Sequence, residues 1–207
     1  MIEALPILFV LFFSVVLHEY AHGWVAYRLG DPTANDAGRL TMNPIAHVDI
    51  VGTIIIPLAL VISKSGFLFG WAKPVPINPS YFRKPMIGMA ITGGAGPASN
   101  LLLALAVALF LRFAGGLVGD GMVAQMLVYG IVINVVLAVF NLVPIPPLDG
   151  SRVILPFLPQ SLARFYFELE PYGMFVVIGL LVTGILGRII FPFVGILRAV
   201  YFSVAGI

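Results

Sequence analysis

The sequence predicts an all-α, polytopic membrane protein with about five to six transmembrane or re-entrant helices. Hydrophobic residues make up 60% of the chain and charged residues only 10%, whereas soluble domains are about 25% charged. Mean hydropathy is +1.08, and several apolar runs approach the ~20 residues that a helix needs to cross a bilayer. We therefore expect residues 1–207 to form a single domain embedded in lipid.

The charges and the missing cysteines exclude several classes of function. The 11 basic and 9 acidic residues give a net charge of +2 and form no dense basic face, so we expect no nucleic-acid partner. The chain has no cysteine, which excludes disulfides, iron–sulfur clusters and thiolate zinc sites. Any metal would be held by nitrogen and oxygen atoms.

The apolar runs define the expected helices. Run 4–29 is too long for a signal-peptide core and no lysine or arginine precedes it, so it is predicted to be a retained membrane helix. Run 50–62 is too short to cross and favours a re-entrant or partly inserted helix. Run 189–204 contains Pro192 and Arg198 and fits either a further span or an interfacial helix. The other predicted spans are 86–113, 122–143 and 172–187, the last of which is short unless it continues past Arg188.

Two polar stretches, 30–49 and 66–84, separate the first two full spans. Turn-forming pairs such as Asp31-Pro32 and Lys73-Pro74 interrupt helices, so we expect short β or extended segments there, with 38–42 as one candidate strand.

Basic residues indicate the orientation of the chain. If the first helix ends in the cytoplasm and 50–62 does not cross, most basic residues are cytoplasmic, as the positive-inside rule requires. These are Arg28, Arg39, Lys64, Lys73, Arg83, Lys84, Arg152 and Arg164. Arg112 and one or both of Arg188 and Arg198 remain for the other side.

The first predicted helix contains the H-E-x-x-H pattern at residues 18–22. Its two histidines, His18 and His22, are four residues apart and share one helix face, where both can bind one metal ion. Glu19 lies beside them and can transfer protons. Ionisable groups at membrane depth cost several kcal/mol and are seldom kept without a function, so the pattern predicts a zinc hydrolase in the bilayer.

A catalytic zinc ion usually has three protein ligands, so one more is needed. Candidates are His47 and the acidic residues, among which Asp149 stands out. Three prolines precede it and break the helix, and such irregular backbone at membrane depth lines a wet cavity or is buried in protein. His47 and Asp49 form an H-x-D pair that fits a second metal site or, as we favour, a hydrogen-bonded turn.

These motifs together resemble the site-2 protease family of intramembrane zinc metalloproteases. The resemblance covers about residues 5–160 and leaves C-terminal helices at about 171–207. It rests on the pattern at 18–22, on 96–100, and on 141–150, which is similar to the family's asparagine-proline-leucine-aspartate-glycine segment. Segments 38–44 and 69–78 look like the compact bacterial and archaeal branch, without extra soluble domains.

The resemblance implies a zinc-dependent endopeptidase of the cell membrane, with its active site toward the cytoplasm. His18, His22 and Asp149 would bind Zn²⁺, and Glu19 would be the general base. The substrate would be a transmembrane protein or peptide. Asn141 and Asn100 would contact substrate or orient the site, although each also fits an interhelical hydrogen bond.

Two other functions remain open at this stage. The chain could cut short membrane-associated peptides, or it could bind metal without peptidase activity, as a transporter or a chaperone-like protein. The sequence also leaves open whether copies of the chain form a homo-oligomer.

Overall fold

The computed structural model describes residues 4–63, 70–119 and 121–207, so Lys64 and Phe69 lie outside the described residues. The described chain is mostly helical. Its α-helices are α1 (Ala4–Arg28), α2 (Thr33–Asp36), α3 (Ile56–Ile62), α4 (Pro85–Ala114), α5 (Met122–Asn141), α6 (Asp149–Ile154), α7 (Gln160–Leu169), α8 (Gly173–Val182) and α9 (Ile185–Ala205). Ile50–Ile55 is π-helical, and short 3₁₀ turns span Pro44–His47, Pro79–Tyr81, Gly115–Leu117, Leu155–Phe157 and Glu170–Tyr172.

The centre of the fold is a three-helix unit in which α4 runs antiparallel to α1 and α5. Ser14 of α1 lies beside Asn100 of α4, and His22, two turns further along α1, contacts Thr92, two turns earlier on α4. Asn134 of α5 lies against both Ser14 and Asn100. This register brings the end of α1, the start of α4 and the end of α5 to the same end of the bundle, which we call the site end.

Small side chains allow the helices to approach closely. Ala104 and Ala108 of α4 are fully buried against Ile131 and Val135 of α5. In lipid, no hydrophobic effect drives helices together. They therefore associate through close van der Waals packing of this kind.

Five stretches are long and apolar enough to cross a membrane, as expected for a multi-pass membrane protein. They are Pro6–Arg28, Pro85–Leu117, Met122–Asn141, Gln160–Val182 and Ile185–Ala205. The shorter run Ile50–Leu60 falls below that length, in agreement with the prediction for 50–62.

Unlike the other four stretches, Gln160–Val182 does not connect the two ends of the bundle. Gly173, at the start of α8, lies against the Pro146 carbonyl, and Leu186, at the start of α9, belongs to the same buried apolar cluster as Val143 and Leu148. Both positions adjoin the loop after α5, so the chain is at the site end before and after α8. The ten residues of α8 span only about 15 Å, half of a bilayer core of about 30 Å.

By contrast, α9 runs the length of the bundle, parallel to α4. The Tyr201 hydroxyl donates a hydrogen bond to the Leu101 carbonyl (3.1 Å), and Gly206 lies beside Arg112, near the end of α4. Hence α1, α4, α5 and α9 connect the two ends, and run 189–204 belongs to a spanning helix.

The predicted span 172–187 is wrong in its boundaries. The chain turns at Gly184, whose φ of +72° lies in the left-handed region that glycine adopts without strain. Residue 187 therefore belongs to α9.

The region between α1 and α4 contains turns and extended backbone. Residues 38–42 form turns and bends, and no β-strand occurs in the described parts of the chain. Residues 70–78, which we call the site segment, have no regular secondary structure.

Candidate metal centre

Three predicted ligand atoms meet at the site end of the bundle. His18 Nε2 lies 3.0 Å from His22 Nε2, and Asp149 Oδ2 lies 3.1 and 3.2 Å from these two nitrogens. All three side chains are buried. They form a cluster of metal-ligating type that α1 and α6 supply together.

The size and chemistry of this cluster fit a zinc ion. Zn²⁺ binds histidine nitrogen and carboxylate oxygen at about 2.0–2.1 Å, so tetrahedral ligands lie about 3.3 Å apart. The three measured edges are within a few tenths of an ångström of that separation. A set of two imidazoles and one carboxylate, with a fourth direction open, is the usual arrangement for catalytic zinc.

The opposite nitrogen of each imidazole has its own partner. His22 Nδ1 donates to the Thr92 carbonyl (2.7 Å), and His18 Nδ1 lies 2.6 Å from Asn100 Oδ1. A carbonyl oxygen only accepts, so the Nδ1 atoms carry the protons and both Nε2 lone pairs face the cluster. Partners of this kind orient the ligands of protein-bound metals.

Gly96 of α4 makes room for the cluster. A Cβ at this position would lie 2.6 Å from His18 Nε2 and closer still to His22 Nε2. Any side chain larger than glycine would therefore occupy the space beside the ligand atoms.

Asp149 reaches the cluster because the chain doubles back after α5. A Cβ on Gly150 would overlap the Leu142 carbonyl, so glycine is required for this close return. Burial alone would raise the pKa of the Asp149 carboxyl, but the adjacent His18 and His22 side chains hold that pKa below its ordinary value. Asp149 is thus a carboxylate, as a metal ligand must be.

Glu19 lies next to the cluster and is oriented by the site segment. Its Oε2 accepts a hydrogen bond from the Val75 backbone N–H (2.9 Å), and no second hydrogen bond to this carboxylate occurs within the described residues. One oxygen is therefore fixed and the other is available.

Two buried charged side chains form hydrogen bonds with the backbone of the site segment. Arg39 donates to the Lys73 carbonyl (2.7 Å), and Asp31 accepts from the Asn78 N–H (2.7 Å). These two hydrogen bonds give the site segment a defined position beside Glu19.

A cavity of about 410 Å³ opens onto these groups, large enough for several residues of an extended peptide. Its lining includes the three candidate metal ligands, Glu19, Trp71, Asn141 and Arg152. Asn141 donates to the Leu137 carbonyl (3.0 Å), which leaves its oxygen available. Arg152 has no ion-pair partner among the residues that the structure describes.

Other candidates from the sequence occupy different positions. Asn100 is fully buried behind His18 and does not line the cavity, so its assignment as a substrate contact stays a prediction. His47 donates to the Thr41 carbonyl (2.9 Å), and Asp49 accepts from the Gly52 N–H (2.6 Å). This pair forms the turn that the sequence favoured.

Several site residues were not identified from the sequence. Asn134 is a single polar residue in an apolar helix, and that isolation at membrane depth was the available clue. Val75 acts through its backbone N–H, for which a sequence carries no pattern. Arg152 was interpreted only as one of the basic residues on the cytoplasmic side. Its spacing of three from Asp149, however, places both residues on one helix face.

Comparisons with known proteins identify the family of the chain. Residues 115–184, which include Asp149, match the family model described as peptidase family M50. The chain is 40% identical over 186 residues to "Putative zinc metalloprotease YwhC" of Bacillus subtilis, covering 86% of this chain and 81% of that protein. It is 31% identical over 191 residues to "Putative zinc metalloprotease Rip2" of Mycolicibacterium smegmatis, covering 87% and 68% of the two chains.

No solved structure matches the chain at a comparable level of significance. Family membership therefore rests on the family model and on relatives that align over most of both chains. The chain belongs to peptidase family M50, the site-2 protease family, and is a membrane metalloprotease.

Proposed function

We propose that the chain is a zinc-dependent intramembrane endopeptidase that cuts transmembrane segments of other membrane proteins. The observation that carries this proposal is the convergence of His18, His22, Asp149 and Glu19 on one cavity. Two of the three ligands and the candidate base lie on α1, whose length and apolar composition suit a membrane span. Chemistry at this position takes place at membrane depth.

Zinc is the ion that the donor set favours. Two imidazoles and a carboxylate offer borderline and hard ligands without sulfur, and the relatives are named as zinc metalloproteases. When bound, the ion would act as a Lewis acid that activates water and polarises the scissile carbonyl.

Glu19 would be the catalytic base. Its free carboxylate oxygen would accept a proton from the attacking water and then deliver it to the nitrogen of the leaving amine. The hydrogen bond from the Val75 N–H would keep the carboxylate oriented while the proton moves. Asn141, which lines the cavity, is suited to accept a hydrogen bond from the peptide backbone of a substrate.

The substrate must be extended where it is cut. A transmembrane helix hides its carbonyls in internal hydrogen bonds, so several residues must unwind before water can attack. We therefore expect preferred substrates to carry glycine, proline or polar residues near the cleavage point. The site segment covers the same cavity and offers a surface along which an unwound chain could lie.

We further propose that the site end faces the cytoplasm of a bacterial or archaeal cell. Most basic residues belong to this end of the bundle: Arg28, Arg39, Lys73, Arg83, Lys84, Arg152, Arg164 and Arg188. Arg112 lies at the opposite end, and this bias has the sign of the positive-inside rule.

A cleavage assay in liposomes tests the proposal. Purified chain is incubated with fusion proteins that carry different transmembrane segments, and the products are mapped by mass spectrometry. Cuts within the apolar segment, enhanced by a glycine-proline pair near the cut, are expected. Cuts confined to short peptides would favour the alternative of a peptidase for membrane-associated fragments, and zinc binding without any cleavage would indicate a metal-binding protein.

A further inference from the structure

We propose that Asn134 is a positioning residue that sets the tautomer of the zinc ligand His18 through Asn100. This inference rests on the metal-binding role proposed above. It concerns a buried polar chain that links α5, α4 and α1 beneath the cluster.

The polar chain is continuous and almost completely buried. His18 Nδ1 lies 2.6 Å from Asn100 Oδ1, and Asn100 Nδ2 donates to Asn134 Oδ1 (2.7 Å). Asn134 Nδ2 in turn donates to the Ser14 hydroxyl (2.9 Å) and to the Gly130 carbonyl (2.8 Å). Asn100 is 0% exposed and Asn134 is 1% exposed, so water does not compete for these bonds.

Backbone carbonyls fix the direction of both amides. The Gly130 carbonyl can only accept, so it selects the NH₂ group of Asn134 and turns Asn134 Oδ1 toward Asn100. The Ser14 carbonyl likewise accepts from Asn100 Nδ2 (3.3 Å), which leaves Asn100 Oδ1 for His18. An oxygen at that position requires a proton on His18 Nδ1 and leaves Nε2 free for the metal.

The reversed arrangement shows why Asn134 is needed. If the Asn100 amide turned over, its NH₂ group would face His18 Nδ1 and favour a proton on Nε2, which blocks metal binding. Its oxygen would then face the Ser14 carbonyl and Asn134 Oδ1, two acceptors without a proton between them. Buried acceptors that face each other are costly, so Asn134 holds Asn100 in the productive orientation.

His22 provides a contrast within the same site. Its Nδ1 donates directly to a backbone carbonyl, Thr92 O, whose direction cannot reverse. His18 meets a side-chain amide that can present either end, and therefore requires a second residue to set its orientation.

Zinc affinity of purified variants, measured by competition with a chelator, tests the proposal. Asn134→Leu removes the acceptor, and we expect zinc affinity to fall about 10-fold, the lower range for partners of metal ligands. Asn134→Asp, which in its protonated form keeps an acceptor for Asn100 and a donor for the Gly130 carbonyl, is expected to stay close to wild type. Tyr201→Phe removes another interhelical hydrogen bond, to the Leu101 carbonyl, that is not part of the polar chain, and it should leave zinc affinity unchanged.

A spectroscopic readout separates positioning from folding. The chain has three histidines, so ¹⁵N NMR of histidine-labelled, metal-free protein at a pH where imidazoles are neutral can resolve each tautomer. We expect protons on Nδ1 of His18 and His22 and on Nε2 of His47, and a change at His18 alone in Asn134→Leu. Unchanged zinc affinity and an unchanged His18 tautomer in folded Asn134→Leu would overturn the inference, whereas a wild-type chain that binds no zinc would overturn the proposed function.

Discussion

His22 and Gly96 face each other across the interface of α1 and α4, and a methyl group at position 96 would overlap the metal-binding nitrogen of His22. The closeness of these two residues makes the packing of α4 part of the metal site. Two positions away on the same helix, Gly94 has much more space, since its nearest neighbour would be a Val153 methyl at 3.8 Å.

The replacement of glycine by alanine should therefore affect zinc affinity at position 96 but not at position 94. Gly96→Ala should weaken zinc binding by about 5- to 150-fold, which corresponds to the ~1–3 kcal/mol cost of an overpacked side chain. Gly94→Ala should bind zinc like wild type. Chelator competition measures both, and equal affinities of the two variants would contradict the described contact.

Asp149 should contribute to metal binding through its charge as well as its position. Asp149→Asn keeps the shape but loses a carboxylate ligand, so zinc affinity should fall by at least about 100-fold, more than for loss of a supporting partner. The same chemical change at exposed Asp36, Asp36→Asn, is the control. Retention of zinc in Asp149→Asn during extensive dialysis would be inconsistent with its role as a ligand.

Arg39 should affect catalysis without affecting metal content. Its hydrogen bond to the Lys73 carbonyl holds the site segment, which in turn orients Glu19 through Val75. Misplacement of a catalytic group by about 1 Å can cost up to ~100-fold, so Arg39→Gln should lower kcat/KM by about 10- to 100-fold. Zinc affinity should stay at the wild-type value, and so should both quantities in the exposed control Arg28→Gln.

The chain lacks cysteine, so single cysteines can report its topology without removing native ones. Ser80→Cys lies at the site end and should react with a membrane-impermeant maleimide only from the cytoplasmic face. Gly116→Cys and Ile207→Cys should react only from the other face, because α4 and α9 run in parallel. Labelling of positions 80 and 207 from the same face would contradict the four-helix crossing pattern.

The helical membrane fold and the chemistry of the site could be predicted because they depend on local patterns. The spacing of His18 and His22 places them on one helix face, and the three closely spaced prolines before Asp149 do not allow a continuous helix. The pairing of Asn134 with Asn100 could not be predicted, since it depends on the register of α5 against α4. The boundary near Gly184 was missed because apolar composition continues through the turn and only the backbone conformation reveals it.

Glu19→Gln tests the central claim most directly, because it removes the base and keeps all three metal ligands. Zinc content and cleavage of a transmembrane-segment substrate should be measured together in wild type and in this variant. We predict near-stoichiometric zinc in both proteins and a loss of cleavage of about 10²- to 10⁴-fold in Glu19→Gln. Undiminished cleavage by Glu19→Gln, or an absence of zinc from folded wild-type protein, would contradict the account.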